Sequence, residues 1–228
     1  MKFFMPRKFS YLLVACGTTA VLWFIFAAIP AARLAAERER YRQEQYVKKL
    51  NEKWIQGEIE KLTSGQSDFV FFYSTGNTDA FVKQLASMPE VHGLTFVTTD
   101  LSDVGATFIA TLPNIEKLTI HGGTVGNSGL IALRNLEKLK TLHLVNLELT
   151  DDSLVTLLSM KNVENLTIYS NQRSKAKLTD SAIKHLRKLN TLKKLNVGGG
   201  WLSLNSVNEL KSNLPDCIIS QNYADDEW

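Results

Sequence analysis

Val91, Ile115, Leu139 and Val163 stand 24 residues apart, and Leu192 follows 29 residues after the last of them. A fixed period of roughly 20 to 50 residues marks a chain built from stacked copies of one small unit, each unable to bury its apolar face alone. Every unit opens with apolar residues at relative positions 1, 4 and 6: Ile115/Leu118/Ile120, Leu139/Leu142/Leu144, Val163/Leu166/Ile168 and Leu192/Leu195/Val197. Positions 4 and 6 share one face of a short strand, because successive strand side chains alternate. Another apolar residue follows at position 11 (Leu101, Val125, Leu149, Leu202, with Leu178 displaced by an insertion). Triples spaced i, i+3, i+6 then turn one helical face inward: Leu130/Leu133/Leu136, Leu154/Leu157/Met160 and Ile183/Leu186/Leu189. Ser102-Asp103, Thr150-Asp151 and Thr179-Asp180 stand just ahead of these segments, where a hydroxyl or carboxylate accepts from first-turn N–H groups. The phase also runs backwards: Val70/Phe72 align with Leu94/Phe96, and Leu85/Met88-Pro89 with Ile109/Leu112-Pro113, so 67–90 reads as a degenerate first unit.

This pattern resembles the leucine-rich repeat family, with L-x-x-L-x-L followed by a turn and L-T-D-x-x-L, as in Leu142-His143-Leu144 through Leu149-Thr150-Asp151-Asp152-Ser153-Leu154. It is most similar to the short, helical-backed type of cysteine-containing repeats and of bacterial membrane-anchored proteins. The ending Leu214-Pro215-Asp216-Cys217-Ile218-Ile219 is similar to the L-P-N-C-x-I closure of that bacterial group. The resemblance departs at position 9, where Gly123, Leu147 and Gly200 replace the usual Asn or Cys. It covers about 67–220 and implies an α/β solenoid, a parallel sheet with helices on the convex side, and a protein-binding role with no particular ligand.

Ahead of the repeats, no charge interrupts Phe9 to Ala32, 24 residues where roughly 20 suffice to cross a bilayer as a helix. We read 9–32 as a transmembrane helix and 1–8 as its basic tail. A cleaved signal peptide is disfavoured because the apolar run is long and holds no Ala-x-Ala triplet. Leu13-Val14-Ala15-Cys16 resembles a lipobox, but the run after Cys16 stays apolar where a polar tether is expected. Lys2, Arg7 and Lys8 precede the helix, and Arg33, Arg38, Arg40 and Arg42 follow it interleaved with Glu37, Glu39 and Glu44. A short basic tail before a first helix reads as a signal anchor, which puts the C-terminal domain outside the cytoplasm. From 33 to 62 the chain is a charged helical stalk with eight basic and six acidic residues. Its apolar stripe, Val47, Leu50, Trp54, Ile55, Ile59 and Leu62, either covers the open end of the repeat domain or forms a coiled-coil seam for a homodimer. The second choice makes the chain a structural or assembly subunit of a membrane complex. An acidic tail, 221–228, closes the chain.

In a solenoid of this kind the strand residues between core positions face the concave side. They are Phe69, Phe71 and Tyr73, then Gly93, Thr95 and Val97, followed by the candidate partner-binding set: Lys117, Thr119 and His121; Thr141, His143 and Val145; Asn165, Thr167 and Tyr169; Lys194 and Asn196, with Gly198 beside them. Mixed aromatic and small polar residues suit a protein partner. The five-residue insertion Gln172-Arg173-Ser174-Lys175-Ala176 adds a rim loop in which Arg173 and Lys175 are candidates for contact. Residues 63–133 hold two basic and six acidic residues and 134–211 hold thirteen and seven, so the domain reads as acidic first and basic later. A net charge of +3 and a pI near 8.8, with no aromatic interleaving of the basic residues, give no nucleic-acid signature. His121 and His143 lack a third ligand, Cys16 and Cys217 lack partners, and Gly198-Gly199-Gly200 lacks the spacing of a phosphate loop. We therefore expect no catalysis, metal or cofactor.

Overall fold

Seven parallel strands lie side by side in the order in which the chain makes them: β1 (Phe69–Tyr73), β2 (Gly93–Val97), β3 (Lys117–His121), β4 (Thr141–Val145), β5 (Asn165–Tyr169), β6 (Lys194–Gly198) and β7 (Ile218–Asn222). The structure is a computed structural model that describes residues 29–73, 76–86, 88–171 and 176–222. The chain divides into two compact units, Met1–Lys53 and Trp54–Trp228. The boundary falls inside α1 (Ile29–Thr63). In the first unit the described residues are helical from Ile29, and Leu34, Tyr41, Tyr46 and Leu50 are exposed. Among the described residues no helix is long and apolar enough to cross a membrane; the run 9–32 lies outside them except for its last four residues.

Strand partners are offset by 24 residues from β1 to β5 and by 29 between β5 and β6, so the insertion leaves the register intact. Alternation sends the second and fourth residue of each strand into the core, from Val70 and Phe72 to Leu195 and Val197. The position-11 residues Leu101, Val125, Leu149 and Leu202, with the displaced Leu178, join them. Helical segments close each coil behind the sheet: α2 (Thr78–Leu85), α3 (Asp103–Ile109), α4 (Asn127–Leu133), α5 (Ile183–Leu186) and α6 (Leu204–Asn213). Asp151–Ser159 is instead a 3₁₀ helix, and a short 3₁₀ turn, Asp180–Ala182, leads into α5. At three residues per turn Leu154 and Leu157 stack in line and Met160 follows at the C-cap, but the same i, i+3, i+6 spacing accompanies α-helix in α4 and α5, so spacing alone does not set the helix type. The first helical stretch of the second unit, Trp54 to Leu62, closes the near end of the core. Ile55 and Leu62 are fully buried there, and the Trp54 ring packs edge-on against Phe72, with centroids 5.3 Å apart. The stripe thus serves as a core lid. Four of its six residues, Trp54, Ile55, Ile59 and Leu62, are committed to the solenoid and are lost to a coiled-coil dimer seam.

The hydroxyl caps behave as expected. Val104 N–H donates to Ser102 Oγ, and Ser153 N–H to Thr150 Oγ1. The aspartates beside them do something else: each reaches forward into the next coil. Ser102 N–H and Oγ–H donate to Asp79, Gly126 and Gly129 N–H to Asp103, Thr179 N–H and Oγ1–H to Asp151, and Ser203 N–H to Asp180. Asp103 comes so near the next helix that a Cβ on Gly129 would lie 2.6 Å from its Oδ1, which is why glycine stands there. The staple skips one coil, where Asn127 occupies the aspartate position. The following coil then carries Ser153 in the place of Gly129, and its own Oγ accepts from Thr150 N–H at 2.9 Å. A serine on the coil thus does locally what an aspartate does from its neighbour.

After the strands the chain turns through left-handed backbone at Gly122, Asn146 and Gly199, and also at Thr98, with φ 51°. A β-branched residue there is strained. Thr98→Gly is expected to raise stability by about 1 kcal/mol in urea unfolding, the cost of that conformation. Asp103→Ala is expected to lower it by about 1 to 2 kcal/mol, because two N–H groups lose one acceptor. The control Asp152→Ala, whose carboxylate is exposed, should stay within about 0.5 kcal/mol of the parent.

Candidate functional site

The first, third and fifth residue of each strand point away from the core, to the side of the sheet opposite the helices. In-register pairing sorts them into three rows: Phe69, Gly93, Lys117, Thr141, Asn165 and Lys194; Phe71, Thr95, Thr119, His143, Thr167 and Asn196; Tyr73, Val97, His121, Val145, Tyr169 and Gly198. All eleven strand residues expected at a partner face are on this open face. Their exposure is uneven. Val145 is 2% exposed and Thr167 and Tyr169 6% each, so these three are not presented to solvent as the strand pattern alone led us to expect. The accessible aromatic part lies towards β1, where Phe71 is 50% and Tyr73 65% exposed, and Lys117 and Lys194 are exposed as well. Arg173 and Lys175 of the rim loop lie outside the described residues.

Local packing shapes the accessible part. Gly93 has no side chain, and the Phe69 ring lies across it: a Cβ on Gly93 would sit 2.1 Å from that ring. Beyond it the Lys117 ammonium stands 6.0 Å from the ring centroid, in cation–π range. Phe69, Phe71 and Tyr73 thus make an aromatic ridge along the edge strand, with Thr95 and Val97 as the lower ground beside it.

His121 and His143 sit on neighbouring strands but in different rows, since His143 pairs with Thr119 and His121 with Val145. Among the described residues no three His, Cys, Asp or Glu side chains gather as a metal site. Burial holds both imidazoles below their ordinary range, and the Lys117 charge adds to this at His143. An imidazole so held is neutral in the folded chain, while the unfolded chain protonates near pH 6.5, the usual value. Stability is therefore full above that pH and declines as acid carries the solution down towards the lowered folded value. His143→Gln should flatten the loss of urea midpoint between about pH 7 and about pH 5; an unchanged slope would place that loss on other groups.

One feature at the rim where the strands begin was not recognised from sequence, although its signal is plain once the period is known. The second residue of successive coils reads His92, then Glu116, Lys140, Glu164 and Lys193, the last four alternating in sign. Lys140 Nζ lies 2.8 Å from Glu116, and Lys193 Nζ 2.8 Å from Glu164. The Lys140 hydrogen bond holds the Glu116 carboxyl below its usual range, and the Glu116 bond raises the Lys140 ammonium. A groove of about 430 Å³ follows this rim, but its lining mixes Lys138, Lys140 and Lys161 with Glu116, Glu137 and Glu164, so it favours neither sign of ligand. Glu116→Lys should lower the urea midpoint more at low salt than at high salt, and Lys140→Glu added to it should recover only part of the loss, because position 140 also faces Glu164.

The period, the strand order and the helices behind a single parallel sheet define a leucine-rich-repeat-like solenoid. No family model and no curated protein matches the chain. Among solved structures, an internalin from Listeria monocytogenes is similar, with 18% identity and a TM-score of 0.36, over 63% of this chain and 52% of its own. The match spans about half of the internalin's length, and at that level of superposition it carries no argument about function.

Proposed function

We propose that this chain is a non-catalytic protein-binding module that offers the open face of its sheet to a partner. The observation that carries the reading is the exposed aromatic ridge of β1, with Phe71 and Tyr73 standing on a rigid in-register sheet. Large aromatic side chains left in water on a well-ordered surface favour a partner, because covering them releases apolar area from solvent. Repeat solenoids use extended faces of this kind for recognition. We place the module on a membrane anchor, with the solenoid outside the cytoplasm. The uncharged run from Phe9 to Ala32 and the basic tail with Lys2, Arg7 and Lys8 support that placement.

A photo-crosslinking amino acid at position 119 on the open face, compared with one at the exposed position 155 on the helical side, tests the binding reading in intact cells. Protein adducts from 119 and none from 155 are expected. Equal yields, or adducts only from 155, would move the site off the sheet. For the placement, external protease should digest the solenoid in cells stripped of their outer layer; protection until lysis would reverse the orientation.

A further inference from the structure

The open face differs in charge from the rest of the chain. Of 23 Asp and Glu residues, none occupies a first, third or fifth strand position from β1 to β7, whereas Lys117 and Lys194 do. None of the six acids counted over 63–133 stands at a face position, and four of them are engaged elsewhere. Asp79 and Asp103 are consumed by the staples between coils, Asp100 accepts from Asn77 and Thr78 N–H, and Glu116 is held by Lys140 at the rim. Glu164, the other carboxylate beside a face lysine, is likewise held by Lys193. The face therefore carries two cations, on β3 and β6, and an aromatic ridge on β1, with no carboxylate of its own strands to compete for Lys117 or Lys194.

The two lysines share a row, on β3 and β6. Three strand spacings of about 4.8 Å put their backbones about 14 Å apart, and four residues of extended chain cover about 13 Å. Resting on the reading of this face as the partner site, we propose that it takes an acidic, extended segment of a partner protein that crosses the strands with carboxylates four residues apart on Lys117 and Lys194 and an aromatic side chain against Phe71 and Tyr73. The sign of the charge selects the segment, and the aromatic ridge fixes its direction along the row.

The test uses the full chain in detergent micelles and a fluorescein-labelled peptide, WSGSESGSE, whose Trp and two Glu residues share one side of an extended chain, with WSGSQSGSQ and WSGSKSGSK as counterparts. The acidic peptide should bind at least about tenfold more tightly than the glutamine peptide, weaken as salt rises, and lose about tenfold with either Lys117→Glu or Lys194→Glu. The lysine peptide should not bind. Both substituted lysines are exposed, and an unchanged circular dichroism spectrum checks that the variants remain folded. Equal binding of the acidic and glutamine peptides, or indifference to both lysine substitutions, overturns the proposal. Lys117-dependent binding to phosphatidylserine vesicles without peptide binding overturns it too, and assigns the face to a membrane surface. If the peptide fails while position 119 still crosslinks to protein, only the acidic class is lost; if both fail, the partner face itself is lost.

Discussion

At the start of β2 to β6 two successive N–H groups share one carbonyl of the preceding coil. Glu116 and Lys117 donate to His92 O, Lys140 and Thr141 to Glu116 O, Glu164 and Asn165 to Lys140 O, and Lys193 and Lys194 to Glu164 O. This forked bond fixes where each strand begins relative to its neighbour, and with side chains alternating, a slip of one residue would turn every core position outward. The core pairs, the rows of the open face and the rim ladder all inherit their alignment from it. It also explains why five extra residues between β5 and β6 leave the sheet untouched: the fork accepts a longer coil provided the excess is expelled before the next strand begins.

The aspartates show how composition misleads when it is summed over sequence instead of over surface. A stretch with six acids and two bases looks like an acidic surface. Three of those acids, Asp79, Asp100 and Asp103, spend their charge on backbone N–H groups of adjoining coils, and a fourth, Glu116, on a lysine. Hydrogen bonds to the ionised form are what hold such a carboxylate in place, and Asp180 shows this directly, its carboxyl held below the usual range by Ser206 and the Ser203 N–H.

Much of the architecture was legible in the residues because solenoids translate period into geometry without long-range pairing. The 24-residue spacing located strands β2 to β6, the inward pairs and the residues of the open face, and the hydroxyl caps fell where the first turns begin. What escaped sequence reading is lateral. Asp103 looks like a cap for its own helix until the next coil brings Gly126 and Gly129 against it. Val145, Thr167 and Tyr169 carry the same alternation as Thr119 yet are buried, because alternation assigns a face and says nothing about what covers it. The stalk stripe was ambiguous between two partners for the same reason: an apolar stripe states that it will be buried, and only the fold shows that Ile55 and Leu62 finish a core.

The alternating rim ladder bears on how such a chain reaches its fold. A solenoid of near-identical coils has an obvious wrong assembly, in which one coil is looped out and its two neighbours pair with each other. Their strands match in length and apolar pattern, so packing alone discriminates poorly against the error. Skipping the β4 coil would bring Glu116 against Glu164, and skipping the β5 coil would bring Lys140 against Lys193. Each omission sets like charges side by side where the correct neighbour offers an opposite one, so the ladder works as a parity check on coil order during folding.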